Sequence, residues 1–93
     1  MSVPFPGQER SKHMGELTRG EQHWNVYLEM QPDGEVGAVR GRIHFVGALR
    51  GQEHRMTGWI FLEWQERDVQ DRFGEFSAVE LWHFVESLEG RGV

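Results

Sequence analysis

The chain has 93 residues, of which 38% are hydrophobic and 27% are charged. A chain of this size forms one domain, and its composition is that of neither a disordered tail nor a membrane protein. It contains no cysteine, which excludes disulfide bonds, thiolate nucleophiles and cysteine-ligated zinc, and its net charge of −5 has the wrong sign for a general polyanion binder.

The first twenty residues form a compositional zone of their own. They mix proline, glycine and charged residues with isolated apolar ones, so we expect a largely disordered arm over residues 1–20 and a single small domain over residues 21–93. No apolar run reaches the roughly 20 residues of a membrane-spanning helix, and the N-terminus has no apolar core typical of a secretory signal. We therefore expect a cytoplasmic protein that does not bind membranes.

Alternation of apolar and polar residues predicts two strands, over residues 22–30 and 36–47. Each strand has one mainly apolar face, made by Trp24, Val26, Leu28 and Met30 in the first and by Val39, Gly41, Ile43 and Phe45 in the second. The glycine in the second strand indicates a large aromatic side chain, such as tryptophan, packed across it. The intervening Pro32, Asp33 and Gly34 predict a bulged hairpin turn with Gly34 in the left-handed conformation.

A third strand is predicted over residues 54–64. Apolar residues occupy both of its faces, which is typical of a strand that is covered on two sides. One face carries Met56, Gly58, Ile60, Leu62 and Trp64, and the other carries Thr57, Trp59, Phe61 and Glu63.

The C-terminal segment has the signals of a helix over residues 77–89. Ser77 and Glu80 form a capping box, an apolar stripe at helical spacing follows, and Gly90 is a natural stop. A short helical turn precedes it, with Val69 and Phe73 four residues apart and Gly74 at its end. The predicted fold is α+β, a three-stranded antiparallel β-meander with a C-terminal α-helix packed on one face.

One face of this sheet carries the candidate binding residues. If the helix covers the face of Val26, Ile43 and Ile60, the opposite face displays Tyr27, Arg40, Arg42, His44, Trp59 and Phe61. Aromatic side chains of this size are seldom left in water, so a second copy, the N-terminal arm or a different partner must cover them. We therefore expect a non-enzymatic interaction module, a homodimer or a binder of another protein, that uses these six residues.

A single-stranded nucleic acid is the alternative partner for the same face. Bases stack on aromatic side chains and arginines contact phosphates in such modules, although the net charge of −5 opposes this use. Binding that weakens steeply with salt distinguishes this alternative from protein association.

A small enzyme or metal protein is the remaining alternative. Glu80 and His83 have the spacing of carboxylate-bridged metal sites, but such sites also need ligands from facing helices. The other histidines show no ligand spacing, and Thr57 near His44 has no third residue to orient the pair. We therefore assign no catalytic residue, metal or cofactor.

Overall fold

The structure is a computed structural model that describes residues 10–48 and 53–88. Its elements in chain order are β1 (Arg10–Arg19), β2 (Gln22–Asp33), β3 (Ala38–Gly47), β4 (His54–Met56), β5 (Phe61–Glu63), α1 (Glu66–Phe73) and α2 (Ala78–Ser87). The strands form one antiparallel sheet in the order β1-β2-β3-β4, and β5 also pairs with β3. The α+β class is confirmed, whereas the predicted count of three strands and one helix is wrong.

The edge strand β1 was missed by the sequence analysis, which expected a disordered arm there. Arg10 and Lys12 occupy positions on its helix-covered side, where they bond to Glu66 and Gln70 of α1. A bulge between His13 and Gly15 then breaks the two-residue period. Polar residues on the inner side and a bulge together remove the alternation that identifies a strand. The expectation for residues 1–9 lies outside the described residues.

The hairpin between β2 and β3 is present, but its turn lies further along the chain than expected. Asp33 still belongs to β2, and its carboxylate accepts a hydrogen bond from the backbone N–H of Glu35 at 3.2 Å. The left-handed residue is Gly37, with φ of +72°, rather than Gly34. Its N–H donates to the carbonyl of Asp33 at 2.9 Å, which closes the turn.

The predicted third strand is broken into β4 and β5. Met56 pairs with His44 and Phe61 pairs with Gly41. The five residue-to-residue steps from Met56 to Phe61 therefore lie opposite only three such steps on β3, from His44 to Gly41. The intervening residues bulge from the ladder at Thr57, whose N–H donates to the Ile43 carbonyl at 3.0 Å and whose hydroxyl accepts from the Ile43 N–H at 2.9 Å.

The helices cover the sheet face that carries Val26 and Ile43, as predicted, but the third-strand faces were assigned wrongly. Phe61, expected on the uncovered face, is only 6% exposed and packs edge-on against Phe76. Ile60, expected on the covered face, is 45% exposed. The bulge between β4 and β5 breaks the two-residue period, so Trp59 lies on the open side as expected whereas Phe61 points into the core.

Both helices bury the side chains that their spacing indicates. Val69 and Phe73 of α1 are buried and Gly74 caps it, while α2 begins at the predicted capping box and ends at Ser87 rather than residue 89. The helices complete one core with the inner side of the sheet, formed by Leu17, Trp24, Val26, Leu28, Met30, Ile43, Phe45, Phe61, Val69, Phe73, Leu81, Trp82 and Val85. Gly90 lies outside the described residues. No helix in residues 10–48 or 53–88 has the length and apolarity needed to cross a bilayer.

Candidate functional site: the open sheet face

The sheet face opposite the helices, the open face, holds most of the predicted partner-binding residues. Strand register places Tyr27 across from His44, with Arg40 and Arg42 further along β3 on the same side. Trp59 joins them from the bulge between β4 and β5. Phe61 is excluded because its side chain lies in the core. Five of the six predicted residues therefore share this face.

Trp59 lies over the two arginines instead of projecting into water. The guanidinium carbons of Arg40 and Arg42 are 4.6 Å and 4.3 Å from its ring centroid, within the range of cation–π attraction. The Nε of Arg42 donates to Glu29 at 2.8 Å, and the Nε of Arg40 donates to Gln31 at 3.0 Å. The arginines are thus part of a hydrogen-bonded surface network.

A chain of hydrogen bonds runs across the same face from Glu29 to His54. One carboxylate oxygen of Glu29 pairs with Arg42, and the other lies 2.8 Å from Nδ1 of His44. The Nε2 of His44 in turn lies 2.9 Å from Nδ1 of His54. Glu29 is only 7% exposed, so this carboxylate is nearly buried and is satisfied by two nitrogen donors.

Two further histidines lie on the open face. The ring of His13 is 5.1 Å from that of Tyr27, and its Nε2 is 3.1 Å from the side-chain oxygen of Asn25. His23 pairs with Glu16. The sequence analysis missed this gathering because the histidines lie on four strands, and only the pairing register brings them together. His54 is located only by the pairing of β4 with β3, in which it lies opposite Val46.

An apolar patch, formed by Val36, Ala38, Leu62 and Trp64, lies at the hairpin end of the open face. Together with Glu63, these residues line a recess of about 180 Å³. Val36 is 55% exposed, Leu62 59% and Trp64 72%, so three large apolar side chains face solvent together. Leu62 and Trp64 were expected on the covered side, together with Ile60. The register of β5 instead places Leu62 opposite Arg40, on the open face.

The helical layer carries a separate groove of about 440 Å³. Phe76 and Phe84 lie at its base, with Ile60 at one side. Glu63, Glu75 and Glu80 surround it, and Arg72 pairs with the first two of these. The groove is therefore acidic at its rim, in a helical layer that is itself rich in acidic residues: Glu66, Asp68, Asp71, Glu75, Glu80 and Glu86.

The alternative centre at Glu80 and His83 is not assembled as a metal site. The Glu80 carboxylate accepts the backbone N–H of Ser77 at 2.9 Å, and this bond, with the Ser77 hydroxyl and then nearby His83, lowers the pKa of Glu80. Thr57 is buried and bonds to backbone atoms of Ile43 and Gly58. No cluster of three or more His, Cys, Asp or Glu side chains suited to a metal occurs in the described parts of the chain.

Comparisons with family models, curated proteins and solved structures found no match to this chain. The geometry and chemistry of the open face are therefore the observations that indicate a function. That face combines a network of bonded polar side chains with an apolar patch that has no covering element within the described residues.

Proposed function

We propose that this protein is a small interaction module in which two copies associate through the open face, with the apolar patch at the centre of the contact. The observation that carries the proposal is the exposure of Val36, Leu62 and Trp64 around one recess. Apolar clusters of this kind on a small domain mark interaction sites, and buried aromatic side chains supply most of the binding energy in such contacts.

The patch offers both an exposed aromatic side chain and a recess. It contains a projecting group, the indole of Trp64, beside a recess lined by Val36, Ala38 and Leu62. A twofold axis makes each contact occur twice, so the indole of each copy can fill the recess of the other. A second copy therefore fits without any further surface.

The distribution of charge also favours a second copy on this face. Five acidic residues of the helices, and Glu75 between them, lie on the far side of the sheet, so joining two open faces keeps these like charges apart. Arg40 pairs across the strands with Leu62 at one border of the patch, and Asp33 and Glu35 belong to the hairpin at the other border. Across a twofold axis, the arginine of one copy approaches the acidic hairpin of the other.

The roles of the sequence-predicted residues change accordingly. Leu62 and Trp64 take the place in the contact that was expected for Phe61, and Arg40 with Trp59 borders the contact. Tyr27, Arg42 and His44 lie further from the patch, where they form the bonded part of the open face. We therefore expect substitutions at Trp59 to weaken association less than substitutions at Trp64.

Sedimentation velocity from about 1 to 100 µM tests the proposal, because specific interfaces of standard size give affinities in or below this range. We expect the full chain to sediment with twice its monomer mass of 10.9 kDa at the upper end of the range. Leu62→Ser and Trp64→Ser should sediment as monomers. Val79→Ser is the matched control, because Val79 is 64% exposed on α2, away from the patch.

A monomeric parent protein throughout this range would contradict the proposal, as would equal weakening by Val79→Ser. Circular dichroism of each variant confirms that the fold is retained. Oligonucleotide binding by the monomer that weakens steeply with salt would instead favour the nucleic-acid alternative.

A further inference from the structure

The histidine pair at the β4 end of the open face has the geometry of a ligand site. Nε2 of His44 and Nδ1 of His54 are 2.9 Å apart, their ring planes differ by 28°, and the ring centroids are 5.1 Å apart. Rings in this arrangement meet edge to edge, with one nitrogen of each directed at the other. A cation that enters between them meets two imidazole nitrogens at once.

Glu29 orients the inner ring, that of His44. A carboxylate can only accept, so the atom 2.8 Å from it, Nδ1 of His44, carries a proton. With Nδ1 directed at the carboxylate, Nε2 is the nitrogen of His44 that faces His54, whose Nδ1 is 2.9 Å away. A carboxylate that holds the far nitrogen of a histidine is the outer partner found behind metal-bound imidazoles, where it orients the ring and raises its basicity.

Met56 is a further donor residue beside the histidine pair. It is the direct cross-strand partner of His44 and lies two residues after His54, so all three side chains rise from one side of the sheet. Directly opposed residues of antiparallel strands have Cβ atoms about 5 Å apart. All three residues are partly exposed, which leaves the cluster open to an entering ion.

We propose that His44, His54 and Met56 bind a soft monovalent metal ion, Cu(I), with Glu29 orienting His44 from behind. Thioether sulfur selects Cu(I), and imidazole is also a good copper ligand. Zn²⁺ takes four ligands, and no group of three or more His, Cys, Asp or Glu is suited to it within residues 10–48 and 53–88. A monovalent ion also adds the least positive charge beside Arg42.

Binding requires the two rings to move apart, because nitrogens that face each other at 2.9 Å must separate to roughly 4 Å to hold an ion between them at metal–nitrogen distances of about 2.0 Å. Nδ1 of His54 binds in the tautomer that carries the proton on Nε2, since imidazole can carry its proton on either nitrogen. No bond to carbon changes and no electron is transferred, because the ion enters and remains as Cu(I). The site is roughly 13 Å along β3 from Arg40, which lies opposite Leu62, and roughly 20 Å from Ala38. None of its ligands belongs to the apolar patch, so copper binding does not require the proposed association.

Anaerobic titration with Cu(I), in competition with a chromophoric Cu(I) chelator, tests this assignment on the full chain. We expect one equivalent to bind, and X-ray absorption of the complex to show two nitrogen ligands and one sulfur ligand. Glu29→Gln should weaken binding about 10- to 100-fold, as loss of an outer partner does. His54→Ala should weaken it by more, since it removes a ligand.

Met56→Leu keeps the size and apolar character of the side chain, so it separates a lost sulfur ligand from a lost fold. It should weaken Cu(I) binding and remove the sulfur signal. His23→Ala is the control, because this open-face histidine pairs with Glu16 and belongs to another row of the sheet. Absence of competitive Cu(I) binding, equal weakening by His23→Ala, or a sulfur signal that persists in Met56→Leu would overturn the proposal.

Discussion

The Cγ1 atom of Val69 on α1 lies 2.6 Å from the position that a Cβ atom on Gly41 of β3 would occupy. The ring of Phe61, across the strand pair, comes within 3.3 Å of the same position. Glycine at this site therefore allows α1 to pack directly on the sheet. The sequence indicated that a large aromatic residue such as tryptophan would fill the space, and a helix valine together with Phe61 fills it instead.

Substitution of Gly41 by alanine should destabilise the protein by about 1–3 kcal/mol, because overpacking forces the helix or the side chains to shift. Val69→Ala in the same chain removes the clashing methyl group, so the double variant should lose less than the sum of the two single losses. Gly34→Ala is the control, since a Cβ atom there meets nothing within 4 Å. Urea unfolding measures the differences, and equal stability of Gly41→Ala and the parent would contradict the packing.

Alternation places Trp59 and Phe61 on one face, but in the structure they lie on opposite faces. Their substitutions should therefore reduce the stability of the fold by different amounts. Phe61 is 6% exposed in the core, so Phe61→Ala should cost about 3–5 kcal/mol of unfolding free energy. Trp59 is half-buried on the open face over Arg40 and Arg42, and its loss should cost less. Urea unfolding of both variants checks the order. A larger loss for Trp59→Ala would mean that the faces of this segment are reversed.

Acid should weaken the start of α2. The bonds from Ser77 lower the pKa of Glu80 below its ordinary value of 4.5, so the charged carboxylate stabilises the folded state. Because the folded-state pKa is depressed, this stabilisation is fully present above the ordinary value and is lost as the pH falls through the folded-state pKa.

The variant Glu80→Gln isolates this effect, because its amide oxygen can still accept from Ser77 but cannot be titrated. Melting temperatures of the variant and the parent, measured at pH 7 and pH 3, should show a smaller drop in the variant. An identical drop in both proteins would show that Glu80 does not contribute to acid sensitivity.

Local signals in the sequence located most of the elements. The alternation at Val26 and Ile43, the capping box at Ser77 and the spacing of Val69 and Phe73 depend on neighbouring residues, and each has its counterpart in the structure. Such features can be predicted because they are determined within one element.

The remaining features depend on contacts between elements. Lys12 of β1 lies on the helix-covered side, where it bonds to Gln70 of α1, and His44 meets His54 through the register of β3 and β4. The face of β5 is likewise decided by Gly41, which leaves space for Phe61. The local pattern of residues along the sequence does not determine these contacts between elements. The apolar patch and the histidine pair can therefore be recognised only in the three-dimensional structure.

The most direct test of the central claim is an isotope-filtered NOE measurement on an equal mixture of labelled and unlabelled protein, at a concentration where dimers form. Only contacts between different copies give signals in this experiment. We predict intermolecular NOEs between the indole protons of Trp64 and the methyl groups of Val36 and Leu62, since the indole fills the recess of the other copy. Absence of these NOEs, or intermolecular NOEs confined to the helices, would contradict association through the open face.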